Sequence, residues 1–140
     1  MIFTLQDLES VIVTVLTVLF IFYTASGVGM MRHKHDIRAP ATSGHPEFDR
    51  AFRVQMNTLE NFAIFLPLFW IATLLFRSVP YLVPAIGILW LIGRILYMTG
   101  YMAAPDKRGT GGIITMLAEA ILLVLCIIGI IRAWMVISAT

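Results

Sequence analysis

The chain has 140 residues, 59% of them hydrophobic and only 13% charged, with a mean hydropathy of +0.90. A soluble domain carries about 25% charged residues, so this composition excludes an ordinary soluble fold and points to the bilayer. The formal net charge is +2; the basic residues fall in loops rather than in a nucleic-acid patch, and spans of about 20 residues each leave no length for a soluble domain.

The N-terminal stretch Met1–Glu9 carries Asp7 and Glu9 but neither Lys nor Arg. A secretory signal needs a basic start, so the first apolar run, Val11–Met31, is expected to be a retained anchor. Its Gly27-Val28-Gly29 stretch is small enough for another helix to approach closely. The run ends at Arg32-His33-Lys34-His35-Asp36, followed by a loop with turn chemistry from Ala39 to Pro46. The spacing of His33, His35 and His45 could suit a metal, but neither a cysteine nor a convincing carboxylate set accompanies them. They read as ordinary loop residues, and no metal is expected.

The second run is apolar over Phe62–Phe76. As a helix that is about 22 Å, short of a hydrocarbon core of about 30 Å. The span must therefore draw in part of Phe52–Asn61, which holds Arg53, Gln55, Asn57, Glu60 and Asn61. Pro67 is expected to kink it or loosen its hydrogen bonding. The third run, Tyr81–Tyr101, carries Arg94. The fourth, Ile113–Ile137, carries Glu119, the lone Cys126 and Arg132. Cys126 lies in an apolar run that does not favour a thiolate and reads as a small buried residue. Glu119 is expected to complete a polar contact inside the bundle, with Arg53 or Arg94. The expected architecture is all-α: one domain over residues 1–140, an integral membrane four-helix bundle with spans near 11–31, 54–76, 81–101 and 113–137.

Arg32, Lys34, Arg38 and Arg50 occupy the first loop and Lys107 and Arg108 the third, against Arg77 and Arg132 on the other side. The positive-inside rule then places loops one and three in the cytoplasm.

At about 100° per residue, Arg53, Asn57, Glu60 and Asn61 share one helical stripe about 100° wide, while Gln55 falls on another face and could serve an adjacent subunit. On the third helix Arg94, Tyr97 and Tyr101 share a stripe too. Both stripes lie beside loops one and three, so a bundle would gather these residues at one depth with Arg32 and Arg108 above them. Arginines pair bidentately with carboxylates, Glu60 could accept from an ammonium, and Asn57 could bond an amide. That suits an anionic ligand bearing an amine; the alternative on the residues alone is an internal network in which Arg53 or Arg94 pairs with Glu60.

The segment from Phe48 to Asn61 closely resembles the signature of the MAPEG family, membrane-associated proteins in eicosanoid and glutathione metabolism. The pattern is Arg, two on a Gln, two on an Asn, three on a Glu, met here by Arg53, Gln55, Asn57 and Glu60. Gly93-Arg94-Ile95-Leu96-Tyr97-Met98-Thr99-Gly100-Tyr101, followed by Arg108, resembles the family's third helix and next loop. The resemblance implies a homotrimer binding glutathione as co-substrate between subunits near the cytoplasmic face. Arg53, Asn57, Glu60 and Tyr97 would bind it from one subunit and Arg32, Gln55 and Tyr101 from the neighbour. Arg108 would face the sulfur as the catalytic residue, with Tyr101 as an alternative donor to it. The nucleophile would be the glutathione thiolate, and the acceptor a lipophilic molecule arriving from the membrane lipid. His33 and Asn61 stand where the leukotriene-synthase branch has an arginine and a tyrosine, which argues against that activity and leaves the acceptor open. Transferase, peroxidase and isomerase chemistry share the thiolate and are not separated by sequence. A second reading is a non-catalytic MAPEG-like protein that binds a lipid or a partner protein. A small multidrug-type transporter fits poorly, since the first run lacks the membrane-buried acid such proteins carry.

Overall fold

The computed structural model describes residues 4–139. Among them the chain forms four long helices and no strand: α1 (Leu5–Lys34), α2 (Pro46–Leu75), α3 (Leu82–Ala103) and α4 (Gly109–Ser138), with a 3-10 turn at Pro105–Arg108 before α4. All four helices are long and apolar enough to cross a membrane. At 1.5 Å per residue a helix of 30 residues spans about 45 Å, more than the hydrocarbon core, so the ends of α1, α2 and α4 project beyond it.

Local chemistry explains the helix boundaries. Thr4 caps α1 in a reciprocal box, its hydroxyl accepting from the Asp7 N–H while the Asp7 carboxylate accepts from the Thr4 N–H. His45 caps α2 and Pro46 occupies the first turn, where a missing N–H costs nothing. Pro67 lies inside α2, and the helix continues through it to Leu75. The Gly109-Thr110-Gly111-Gly112 run, which precedes the expected fourth span of 113–137, forms the first turn of α4. The reason is packing: a Cβ built on Gly111 would lie 2.1 Å from the Tyr97 backbone nitrogen, and one on Gly93 2.8 Å from Thr115 Oγ1. Glycine here lets α4 lie against the α3 backbone. A Cβ added at Gly27 or Gly29, by contrast, would meet nothing within 4 Å among the described residues.

The core gathers Phe65, Phe69, Val83, Trp90, Ala118 and Leu122, all fully buried, with the Phe65 and Trp90 rings stacked 4.2 Å apart. Leu, Ile and Met side chains on the outer faces of the helices remain exposed, as suits a surface solvated by lipid. At the end away from loops one and three, Gln6 donates to the carbonyls of Thr73 and Phe76, and Arg77 pairs with Asp7 at 3.0 Å. At the loop end a smaller cluster of Val28, Phe48 and Ala51 closes α1 onto α2.

Candidate functional site

The site begins with a cation that α3 carries into the bundle. Arg94 is 1% exposed. Its Nη1 donates to Asn57 Oδ1 at 3.1 Å and its Nη2 to Thr58 Oγ1 at 2.9 Å, both on α2, while Nε has no partner. A buried guanidinium stays charged and must be hydrogen-bonded to be tolerated. Asn57 and Thr58 meet that need because consecutive residues on α2 straddle the side that faces α3.

Asn57 is spoken for on both sides. Its Nδ2 donates to Glu60 Oε2 at 3.3 Å, and its backbone carbonyl accepts from Asn61 Nδ2 at 2.8 Å. The amide is thus oriented, with its oxygen turned to Arg94 and its nitrogen to the exposed Glu60 carboxylate.

From Arg94 a ladder runs toward the third loop. The guanidinium sits 4.4 Å from the Tyr97 ring centre, the Tyr97 and Tyr101 rings stack at 5.8 Å, and Arg108 lies 5.2 Å over Tyr101. A step of three and then one of four put Arg94, Tyr97 and Tyr101 on one face of α3, and the cation at each end is drawn to the electron-rich ring faces. Arg108 reaches Tyr101 because the 3-10 turn folds back over Gly100, where a Cβ would lie 2.4 Å from the Lys107 carbonyl oxygen.

The structure therefore joins Asn57, Glu60, Arg94, Tyr97, Tyr101 and Arg108 in one run of contacts. Arg53 is exposed on the outer side of α2 and Gln55 is half-buried; neither makes a side-chain hydrogen bond among the described residues. Arg32 lies over the Phe48 ring at 4.7 Å, with Nη1 enclosed and unpartnered.

The internal ion-pair network that stood as the alternative does not form, and Glu119 makes its polar contact inside the bundle with a partner other than the arginines. Among the described residues no ion pair joins Arg53 or Arg94 to Glu60, the ion pairs being Lys34–Glu47, His35–Glu47 and Arg77–Asp7. Glu119 takes neither Arg53 nor Arg94 as a hydrogen-bond partner but accepts from Trp90 Nε1 at 2.9 Å. Helix rotation turns it to the indole one turn before Arg94. Thr58, Gly100 and Gly111 escaped the sequence reading. Thr58 carried a usable signal, as a hydroxyl next to Asn57 in the polar stretch that the second span has to draw in.

Beside this ladder an apolar recess of about 300 Å³ opens between α1, α2 and α3, lined by Gly27, Met30, Ala51, Val54, Met98 and Met102. A charged, partly exposed end and an adjoining apolar recess can serve a polar ligand and a lipophilic one together.

Residues 10–128 match the sequence profile of the MAPEG family. The chain belongs to that family. An uncharacterised protein of Synechocystis is 38% identical to this MAPEG protein over 86% of each chain. The human microsomal glutathione S-transferase 2 is 36% identical over 81% of this chain and 76% of its own length. The rat leukotriene C4 synthase is 35% identical over 69% of this chain and 63% of its own.

Proposed function

We propose that this MAPEG protein is a membrane-bound glutathione transferase, with peroxidase turnover available to the same thiolate. The observation that carries the reading is the oriented contact run from Glu60 through Asn57, Arg94, Tyr97 and Tyr101 to Arg108, built on the glutathione-enzyme signature.

Glutathione has two carboxylates, one ammonium, two amides and a thiol. Arg53 and Arg32 supply guanidinium forks for the carboxylates, Glu60 an acceptor for the ammonium, and Gln55 an amide partner. Tyr97 and Tyr101 offer hydroxyls, and the buried Arg94 adds positive potential behind Asn57. In a homotrimer Arg32, Gln55 and Tyr101 complete the pocket of the adjacent subunit. Among the described residues none of the three makes a side-chain hydrogen bond, which supports that reading. The charge of loops one and three directs the pocket to the cytoplasm, where glutathione is held reduced.

A thiol of pKa about 8.5 is only a few per cent ionised at pH 7. Lowering it by about two units takes about 2.7 kcal/mol of preference for the thiolate, within reach of one guanidinium screened from water. Arg108 supplies it. The thiolate then donates an electron pair to an electrophilic carbon, forming a C–S bond while the leaving group, or an opened epoxide oxygen, carries off the negative charge. With a hydroperoxide, attack on oxygen breaks the O–O bond, and a second glutathione resolves the oxidised sulfur to a disulfide. The lipophilic partner enters from the lipid by the recess beside Met30 and Met102.

Calorimetry of detergent-purified protein with glutathione tests the binding step, and ultraviolet absorbance of bound thiolate tests activation. Wild type is expected to bind and to give a thiolate signal; Arg53→Ala removes binding, and Arg108→Ala removes the signal with binding retained. Thiolate absorbance lost instead in Tyr101→Phe would move the sulfur role to Tyr101. Absence of binding at millimolar glutathione overturns the enzyme reading in favour of a non-catalytic lipid- or protein-binding MAPEG protein.

A further inference from the structure

Three donors meet at the α1–α2 junction, away from the ladder. His35 ends α1, His45 caps α2, and Glu47 lies in the first turn of α2. One ligand atom from each lies within 4.8 Å of the others. The imidazoles stack at 3.5 Å, tilted by 15°, and His35 Nε2 is 2.9 Å from Glu47 Oε2. The first turn of α2 thus supplies the carboxylate that sequence spacing did not reveal. We propose that His35, His45 and Glu47 bind a divalent transition metal, zinc above all, and clamp the end of α1 to the start of α2.

Two imidazoles and one carboxylate form a three-donor set that leaves a fourth tetrahedral position for water. Neutral imidazole is the commonest protein ligand for such an ion, and each ring offers it one lone pair. The cluster also needs little rearrangement. Donors about 2.0–2.1 Å from a tetrahedral zinc lie about 3.3 Å apart, so the widest separation closes by about 1.5 Å at most and the His35–Glu47 pair opens slightly. Rotation of the imidazoles out of their stack and of the partly exposed Glu47 side chain supplies that movement.

Two contacts are exchanged for the metal. Glu47 Oε2 also accepts from Lys34 Nζ at 2.6 Å, and the ion competes with that exposed ammonium. His45 Nδ1 accepts from the Glu47 N–H at 3.3 Å, a long bond given up whichever ring nitrogen binds the ion. Both are weak beside a metal–ligand bond. His33, exposed and outside the cluster, takes no part. The clamp does not depend on the glutathione reading, although it would fix the turn of α1 that carries Arg32.

The test uses tag-free, full-length protein in detergent, stripped with a chelator. Zinc chloride is titrated by calorimetry and cobalt chloride by visible absorption. The expected result is one saturable ion per chain with the intense bands of tetrahedral cobalt. His45→Asn keeps a capping side chain and Glu47→Gln keeps an acceptor for Lys34, so both should retain wild-type circular dichroism while binding at least about tenfold more weakly. His33→Asn should bind as wild type does. A second measurement needs no variant: zinc should protect His35 and His45, but not His33, from histidine acylation read by mass spectrometry. Absence of saturable binding, unchanged affinity in both His45→Asn and Glu47→Gln, equal loss in His33→Asn, or protection centred on His33 would each overturn the site.

Discussion

Arg94 Nη1 lies 3.1 Å from Asn57 Oδ1, so a guanidinium buried on α3 sets the direction of an amide on α2. The bond fixes the amide's other end as well, turning Nδ2 toward Glu60. The positive charge inside the bundle is thereby coupled to an exposed carboxylate through one side chain. Thr58 takes the second guanidinium nitrogen and completes the mount.

Thr58→Val should expose the importance of that mount. It preserves shape but leaves Arg94 Nη2 without an acceptor in a dry interior, a cost of about 1–3 kcal/mol. The thermal midpoint in detergent should fall and glutathione affinity should weaken, whereas Thr58→Ser should restore both. Equal behaviour of Val and Ser would show that Arg94 does not rely on the hydroxyl.

The glycines of the α3–α4 seam should separate by position. Gly111→Ala places a Cβ against the Tyr97 backbone and should cost about 1–3 kcal/mol or more through forced displacement of α4. Gly109→Ala meets nothing within 4 Å and should be neutral or slightly stabilising. Gly100→Ala pushes against the Lys107 carbonyl, so it should displace Arg108 and reduce the bound-thiolate signal more than it lowers the thermal midpoint. Thermal unfolding beside thiolate absorbance distinguishes the three.

Glu119 and Trp90 give a contrast between replacing and removing a partner. Glu119→Gln retains an oxygen to accept from the indole N–H and should change stability by less than about 1 kcal/mol. Trp90→Phe removes the donor and the larger ring stacked on Phe65, and should cost about 3 kcal/mol or more. Comparable thermal midpoints for the two variants would contradict this.

At the opposite end, Asp7 lies in the first turn of α1, ahead of the apolar run Val11–Met31. The Thr4 hydroxyl, then the Thr4 backbone N–H, and then the charge of Arg77 hold its carboxyl below the ordinary value of 3.8. A lowered folded-state pKa adds stability that is fully present above the unfolded value and is lost as pH falls through the folded one. Wild-type thermal midpoints should therefore drop on acidification below about pH 4, and Asp7→Asn should flatten the part of that drop that Asp7 causes. An identical acid profile in Asp7→Asn would assign the loss to other carboxylates.

Much of this protein is legible in its sequence because the information is local. Long apolar runs determine four helices able to cross a membrane, since hydrocarbon tolerates only satisfied backbone. Spacing alone placed Asn57 and Glu60 on one face of α2, and Arg94, Tyr97 and Tyr101 on one face of α3. Which polar groups actually pair was not legible, because pairing depends on the rotation and register of helices far apart in the chain. Rotation gave Arg94 to Asn57 and Thr58 rather than to Glu60, and gave Glu119 to Trp90. Close approach, too, is decided by backbones meeting in space: Gly93 and Gly111 form a seam within this chain, whereas a Cβ added at Gly27 or Gly29 would meet nothing within 4 Å among the described residues. His35, His45 and Glu47 meet only because the first loop folds the end of α1 onto the start of α2, a closure no periodicity encodes.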